Sequence, residues 1–181
     1  MKTHKLIYIL IVLFTANFCS IHSFAQNKTT PPHKTYKNEI YNISYPESWR
    51  VDDSKSNGVD LFLFSPLTDG DNFTENVNVL IQDLKGMEMD LEKYKKISEN
   101  QFAGVLPNSE ILESVIIGTM ENKYLKLSFK YRQSQFDIKG TSICYILNEK
   151  AYMITFTALD TTYDLYKSVG EKIQMSFAFN K

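Results

Sequence analysis

Apolar and polar residues alternate along much of the chain, with the period of two that half-buried β-strands show. The first such block is YNISY (41–45), which places tyrosine and isoleucine on one face and asparagine and serine on the other. Pro46 ends the block, since proline cannot donate a hydrogen bond to a strand ladder. The sequence predicts that the segment 49–51 then begins a returning strand.

Six further blocks have strand character. VDLFLF (59–64) is apolar on both faces, which predicts that it is covered on both sides. The strand at 123–132 is predicted to bury Leu125, Leu127, Phe129 and Tyr131 and to expose Lys126, Ser128 and Lys130. The remaining blocks are 77–84, 111–118, 136–147 and 151–159. Turns are predicted at Asn57-Gly58 and at 148–150.

Two segments change to a helical period. In 90–106 the residues Leu91, Tyr94, Ile97, Phe102 and Val105 fall on one face of a helix. Asp90 is the predicted N-cap, and Gly104 and Pro107 mark the end. In 161–177 the predicted buried stripe is Tyr163, Tyr166, Val169 and Ile173. There Thr161 and Asp164 resemble a capping box.

The order of these elements predicts the fold class. Strands are followed by a helix, four strands and a second helix, and short links between successive strands favour antiparallel pairing. Two amphipathic helices and several two-sided apolar strands indicate an α+β fold, in which an antiparallel sheet carries helices on both faces. We expect a three-layer α/β/α sandwich.

The N-terminus has the three-part layout of a secretory signal peptide. Lys2 and Lys5 precede an apolar run at 7–14, and Ser23-Phe24-Ala25 supplies a cleavage site. The run is shorter than the roughly 20 residues that span a membrane. We expect residues 1–25 to be removed, residues 26–38 to form a flexible leader, and residues 39–181 to form one domain without a transmembrane segment.

Cys19 offers a second interpretation of the N-terminus. Bacterial lipoprotein signals also end at a cysteine, but they place a small residue before it, and Phe18 stands there in this chain. Cleavage after Ala25 is therefore the favoured prediction. The expected location is extracytoplasmic, and the sequence leaves open whether the protein is periplasmic or secreted.

Charge argues against nucleic-acid binding, and cysteine content argues against an internal disulfide. Loss of the two signal-peptide lysines changes the formal net charge from −1 to −3, so no basic surplus favours nucleic-acid binding. Cys144 is then the only cysteine, so no internal disulfide can form. Its apolar neighbours at 143–147 predict a buried structural thiol.

The sequence contains no convincing catalytic set. After cleavage the only histidine is His33, which lies in the predicted leader, so a serine–histidine or cysteine–histidine pair would depend on it. A serine–lysine pair remains a formal alternative, but Ser54-Lys55 and Lys167-Ser168 have the pattern of solvated residues. Neither a glycine-rich nucleotide loop nor a phosphate loop is present, and no cofactor is expected.

One acidic segment is a candidate metal site. DGDNFTE (69–75) offers Asp69, Asp71 and Glu75, but Phe73 stands where an EF-hand loop needs an oxygen ligand. The favoured interpretation is an acidic, solvated loop. After cleavage one cysteine and one leader histidine remain, which are too few to build a zinc site of about four ligands.

Two other groups of polar residues are candidate sites. Asp52, Asp53 and Asp60 could pair as glycosidase carboxylates, but capping of a turn explains them more simply. The cations near aromatic residues could form a platform for a nucleic-acid single strand: Arg50, Lys126, Lys130 and Arg132. The alternation in 123–132 instead places the aromatic rings on the opposite face, in the core.

The segment YKNEIYNISYPESWRV (36–51) resembles the start of the PsbP-like family, with its strand followed by Tyr-Pro-x-x-Trp. AYMITFTAL (151–159) and the closing helix with IQMSF (173–177) also match, so the resemblance spans about residues 36 to 179. It implies a three-layer sandwich and a Trp49 that packs inward. Trp49 is accordingly expected in the core rather than on a ligand platform.

The family implies binding rather than chemistry. Proteins similar to this chain include a photosystem accessory subunit, a Ran-binding import factor, DcrB-type envelope lipoproteins and cytoplasmic effector chaperones. We expect a non-enzymatic accessory or assembly protein that binds a protein of the cell envelope through its sheet edge or loops. The alternatives are a small-ligand carrier with a pocket between sheet and helix, and a hydrolase that uses carboxylates only. No site residue and no oligomeric state is predicted.

Overall fold

The computed structural model of the protein describes residues 32–67, 72–105, 108–119 and 122–180. Within them lie ten strands and two α-helices. The strands are β1 (His33–Lys37), β2 (Tyr41–Pro46), β3 (Arg50–Asp52), β4 (Leu61–Phe64), β5 (Asn76–Asp83), β6 (Glu110–Ile117), β7 (Tyr124–Gln133), β8 (Phe136–Leu147), β9 (Lys150–Leu159) and β10 (Ala178–Phe179). The helices are α1 (Leu91–Val105) and α2 (Tyr163–Met175). The predicted signal peptide and Cys19 lie outside the described residues.

A seven-stranded sheet forms the middle layer, in the order β3-β4-β5-β9-β8-β7-β6, and every neighbouring pair is antiparallel. Helix α1 packs on one face, where Tyr94 lies in an apolar cluster with Leu125 and donates its hydroxyl to the Met153 sulfur at 3.1 Å. Helix α2 packs on the other face, where Ile173 and Ile154 are buried in the same apolar cluster. The predicted α+β fold with helices on both faces of an antiparallel sheet is confirmed.

A second, three-stranded sheet shares the face that α2 covers. Its order is β1-β2-β10, and Tyr41 and Ile43 of β2 are fully buried in the same apolar cluster as α2. The prediction that 49–51 returns along 41–45 is wrong. Strand β3 pairs with β4 instead, because β1 and β10 already occupy both sides of β2.

The N-terminal boundary of the folded part also differs from the prediction. Residues 33–37 of the expected flexible leader form β1, which pairs with β2 from His33–Pro46 to Lys37–Asn42. Tyr36 anchors this strand, with its ring 6.1 Å from that of Tyr41. The polar composition concealed the strand, because an edge strand over a solvated surface needs few apolar residues. Residues 26–31 lie outside the described part.

Helix α1 follows the sequence prediction. The Asp90 carboxylate accepts the Lys93 N–H at 2.8 Å, which caps the first turn. Tyr94 and Phe102 are buried and Ile97 is half-buried, as the apolar stripe requires. The side chain of Val105, also assigned to the stripe, lies outside the described part.

Helix α2 matches its predicted stripe but not its predicted cap. Tyr163 and Ile173 are buried, and Gly170 lies against Phe156, where an added Cβ would approach the ring to 2.5 Å. The capping box of Thr161 and Asp164 does not form. Thr162 is the N-cap and makes no side-chain bond to the helix, because its hydroxyl donates elsewhere, as described below.

Local patterns in the rest of the large sheet are confirmed. Strand β7 buries the four residues that the alternation assigned to the core: Leu125, Leu127, Phe129 and Tyr131. The predicted turn after β8 forms, with Asn148 and Glu149 both at positive φ. Trp49 is only 6% exposed and lies in the cluster beneath α2, so its predicted burial is confirmed.

Candidate functional site

The residues considered as nucleophiles or bases lie apart. His33 is exposed on β1, and Ser54-Lys55 and Lys167-Ser168 are exposed as predicted. Cys144 is buried, and burial raises the pKa of its thiol. A protonated, inaccessible thiol has the structural role that the sequence indicated.

The acidic segment at 69–75 corrects one expectation. Asp69, Gly70 and Asp71 lie outside the described residues, but Glu75 is buried, with only 1% of its surface exposed. Its carboxylate accepts the Ser65 hydroxyl at 3.0 Å and the Thr162 hydroxyl at 2.7 Å. The solvated-loop prediction is therefore wrong at Glu75, because those two hydroxyls replace water.

Glu75 thus joins three parts of the chain rather than holding an ion. Its backbone carbonyl also accepts the Ser65 N–H at 2.8 Å, which fastens the end of β4 to the start of β5. Among the described residues, no group of three or more histidine, cysteine or acidic side chains could hold a metal.

The aspartates at 52, 53 and 60 have structural contacts. Asp60 accepts the Tyr41 hydroxyl at 2.7 Å and lies 3.6 Å from the Lys55 ammonium. Burial, followed by the bond to Asp60, raises the pKa of Tyr41. Asp52 accepts the Ser54 N–H at 3.1 Å, as in a turn. Asp60 thereby ties the small sheet to the large one.

A surface pocket of about 200 Å³ lies at one end of β7 and β8. Its walls carry two ion pairs, Lys130–Asp160 at 2.9 Å and Arg132–Asp137 at 3.0 Å. The pocket is lined by Asn108, Glu110, Lys130, Tyr131, Arg132, Asp137, Ile138 and Asp160. It therefore has the charged lining of a solvated cleft rather than the apolar lining of a ligand carrier.

The cations considered as a nucleic-acid platform are also accounted for. Phe129 and Tyr131 are buried on the face opposite Lys130 and Arg132. The Arg50 guanidinium lies over the Phe64 ring at 4.4 Å. Lys126 pairs with Glu113. Each cation therefore has a partner within the fold.

The feature best suited to binding is the outer edge of the large sheet, strand β6. It is eight residues long, and no described strand pairs with its outer side. Three of its apolar side chains remain more than one third exposed: Leu112 at 41%, Val115 at 37% and Ile117 at 37%. Long, apolar, unpaired edges readily accept another strand.

The hairpin register shows which backbone groups of β6 point outward. Gln133 and Phe136 flank the two-residue turn between β7 and β8, so they form a hydrogen-bonded pair, and odd-numbered residues of β7 bond to β8. Even-numbered residues of β7 therefore bond to β6. Their partners include Val115 and Ile117. Ser114 and Ile116, which alternate with them, direct their N–H and C=O groups away from the sheet.

The charges beside this edge are paired. Lys126 lies 2.7 Å from Glu113 on one face, and Lys95 lies 3.3 Å from Glu99 on the other. The Lys126 ammonium holds the pKa of Glu113 below its ordinary value of 4.5. The Ser114 hydroxyl, followed by Lys95, lowers the pKa of Glu99. Glu113 and Glu99 are therefore each matched by a lysine, whereas Glu110, at the start of β6, is exposed.

Comparison with solved structures identifies the architecture. Cyanobacterial PsbP from Synechocystis is similar with a TM-score of 0.62 and 14% sequence identity, over 87% of this chain and 98% of that one. The chain has the PsbP-like fold. Both the fold class and the resemblance inferred from the sequence are confirmed.

Two other solved structures are similar to this chain. LpqN of Mycobacterium tuberculosis, described as involved in cell envelope biogenesis, has a TM-score of 0.58 at 9% identity, over 83% of this chain and 91% of that one. A protein from Pseudomonas aeruginosa described as a putative regulator has a TM-score of 0.53 at 10% identity, over 77% and 92%. No family model and no curated protein matches the sequence.

The helices of the described part were compared with the length and hydropathy that a membrane span requires. None of them is long and apolar enough to cross a bilayer.

The sequence could not identify β6 as the open edge, because its pattern at 111–118 resembles those of the paired strands. Strand order decides which element ends a sheet, and that order depends on contacts between distant segments.

Proposed function

We propose that this protein is an exported, non-enzymatic accessory or assembly protein that binds a protein partner in the cell envelope. The observation that carries the proposal is the edge strand β6, whose outer backbone groups pair with no described strand and whose apolar side chains are exposed. Export rests on the predicted signal peptide at 1–25, followed by a leader at 26–31 and a domain that starts with β1.

The structural neighbours support this proposal at the level of fold. PsbP-like structures include LpqN, whose description places it in envelope biogenesis. A shared fold does not assign an activity, so the proposal depends on the edge itself. The side chains weighed for catalysis lie in the core, in ion pairs or on separate surfaces, which supports a binding role.

The carrier alternative has weaker support. A pocket for a small molecule usually has at least about 300 Å³ and a mostly apolar lining. The charged pocket of about 200 Å³ between Lys130 and Asp137 does not have these properties.

Crosslinking in the native envelope tests the proposal. Tagged mature protein is compared with the double variant Val115→Lys/Ile117→Lys at the edge. The control is Leu165→Lys/Met175→Lys, which changes apolar residues of α2 that are 78% and 58% exposed. We expect one dominant partner that the edge variant loses and the control keeps. Equal capture by all three proteins, or no capture above background, would overturn the proposal.

A further inference from the structure

We infer that β6 accepts an extended, uncharged, apolar segment of the partner protein as an eighth strand of the large sheet. The inference rests on the proposed function and specifies its contact. It follows from the backbone groups of β6, from its side chains, from its charges and from its usable length.

The backbone of β6 demands an extended occupant. Ser114 and Ile116 each direct an N–H and a C=O group outward, as the register of β6, β7 and β8 requires. Donors and acceptors in that alternation are matched by a β-strand, whose own groups have the same spacing. A helix satisfies its backbone internally and would leave these groups unmatched.

The side chains of β6 demand an apolar occupant on the α2 face. Val115 and Ile117 lie on that face beside each other, and both are 37% exposed. Ile117 pairs with Tyr124, whose ring lies 5.6 Å from that of Tyr145. An added strand would place alternate residues against this apolar row, where β-branched and aromatic side chains pack best.

The charges near the edge favour a segment without charge. Within 113–117 the one charged residue, Glu113, is paired with Lys126, and Glu99 of α1 is paired with Lys95, so this stretch offers no unmatched charge to a charged segment. A charged residue opposite Val115 would lose hydration without gaining a partner.

The usable length is short. A bulge interrupts the pairing of β6 between Ile111 and Glu113, and Gly118, at φ 103°, ends the strand. A Cβ added at Gly118 would clash with the Asn122 backbone carbonyl, so only glycine fits this turn at the end of β6. Residues 113–117 remain, which span about 17 Å of extended chain.

A second copy of β6 fits this edge less well than a foreign segment. In two-fold antiparallel pairing, outward residues must oppose each other. If the two-fold axis passes through Ser114, Glu113 lies opposite Val115 of the other copy. If it passes through Val115, Glu113 lies opposite Ile117. Centring on Ile116 matches Val115 with Ile117 but overlaps only 115–117 within the strand, because β6 ends at Ile117. A segment of different sequence avoids both faults.

Titration with a defined peptide, followed by NMR, tests the inference. The probe is the blocked peptide Ser-Thr-Val-Thr-Val-Thr-Val-Ser, added to ¹⁵N-labelled mature protein, and a matched peptide carries glutamate in place of valine. We expect the amide signals of Ser114 and Ile116 to shift and to gain protection from hydrogen exchange with the valine peptide only. No shift at β6, or equal binding of both peptides, would overturn the inference.

Two variants sharpen the test. Ser114→Pro removes one outward N–H and should weaken peptide binding about tenfold, whereas Ser114→Ala keeps that N–H and should bind as the wild type does. Equal binding by both would overturn strand addition. If Ser114→Pro does not fold, Val115→Lys/Ile117→Lys replaces it, and unchanged binding by that variant has the same meaning.

Two further outcomes separate the inference from the proposed function. A dimer in analytical ultracentrifugation that Val115→Lys/Ile117→Lys abolishes would overturn the inference in favour of a second copy. Failure of the peptide together with edge-dependent crosslinking in the envelope would overturn strand addition alone and leave the accessory function supported.

Discussion

The two edges of the seven-stranded sheet are built differently. Strand β3 at one edge has three residues, and its exposed position is taken by Arg50, whose guanidinium covers the Phe64 ring. Strand β6 at the other edge has eight residues, with Leu112, Val115 and Ile117 exposed. Shortness and a charged side chain are common protections against unwanted strand pairing. The contrast teaches that β6, beyond its bulge at 111–113, offers a longer and more apolar stretch for pairing than β3 does.

The alternation of backbone groups within β6 offers the sharpest test of this contrast. Val115→Pro removes an N–H that bonds to β7, whereas Ser114→Pro removes one that faces solvent. We expect Val115→Pro to lower the free energy of unfolding by about 3 kcal/mol and Ser114→Pro by less than about 1 kcal/mol. Urea denaturation followed by labelling of the buried Cys144 thiol measures both. Equal losses would show that the assigned alternation is wrong.

The stability of the region where β4, β5 and α2 meet should depend on the buried Glu75 carboxylate. Glu75→Ala removes the acceptor for the Ser65 and Thr162 hydroxyls, which join β4, β5 and α2. We expect a loss of about 2 kcal/mol in unfolding free energy. Amides in β3 and β4 should exchange faster, while those in β6 stay unchanged. Thr74→Ala on the same connection is the control, and an equal loss there would contradict the assigned role of Glu75.

Charge at the open edge should change association more than stability. Val115→Lys/Ile117→Lys replaces side chains that are already exposed, so the free energy of unfolding should change by less than about 1 kcal/mol. Light scattering of concentrated protein should rise more slowly on warming than in the wild type. Arg50→Val removes the charge from the β3 edge, so its light scattering should rise faster on warming than that of the wild type. If neither variant alters scattering, the two edges do not differ in their tendency to associate.

The smallest expected effect is electrostatic. Lys126 depresses the pKa of Glu113 below 4.5, and Glu113 raises the pKa of Lys126 above 10.5. The stabilisation from this pair is complete between those values. It is lost as pH falls through the depressed pKa of Glu113 or rises through the raised pKa of Lys126. Both side chains are about one third exposed, so we expect less than about 1 kcal/mol.

An NMR titration can compare this pair with the β3 edge. The Ser54 hydroxyl and N–H lower the pKa of Asp52, with a further contribution from Arg50. Lys126→Met should return the pKa of Glu113 toward 4.5 and leave that of Asp52 unchanged. A shift of both carboxyls would show that the edges are coupled.

Local patterns in the sequence predicted the interior of the fold. The alternation in 123–132 identified the buried side chains of β7 because each depends only on its neighbours along one strand. The stripes of both helices followed for the same reason. Strand β1 was missed because it contains one anchoring ring, that of Tyr36, and β10 was missed because it has two residues.

The candidate site could not be predicted to the same extent. A sheet edge was expected as the binding surface, but strand order was needed to identify β6, and that order depends on α1 carrying the chain from β5 to the far side of the sheet. Burial of Glu75 was likewise hidden, since Ser65 and Thr162 lie 10 and 87 residues away.

The small sheet also determines when folding can finish. Strand β10 pairs with β2, and the Asn180 N–H donates to the Ile40 carbonyl at 2.9 Å, so residues near the two ends of the described chain complete one sheet. Contacts so distant in sequence form late, because closing a long loop precedes any gain from pairing. A nascent chain therefore leaves one side of β2 without its partner strand until residues 178–180 have been synthesised. Pulse-labelled hydrogen exchange should show β7, β8 and β9 protected before β2.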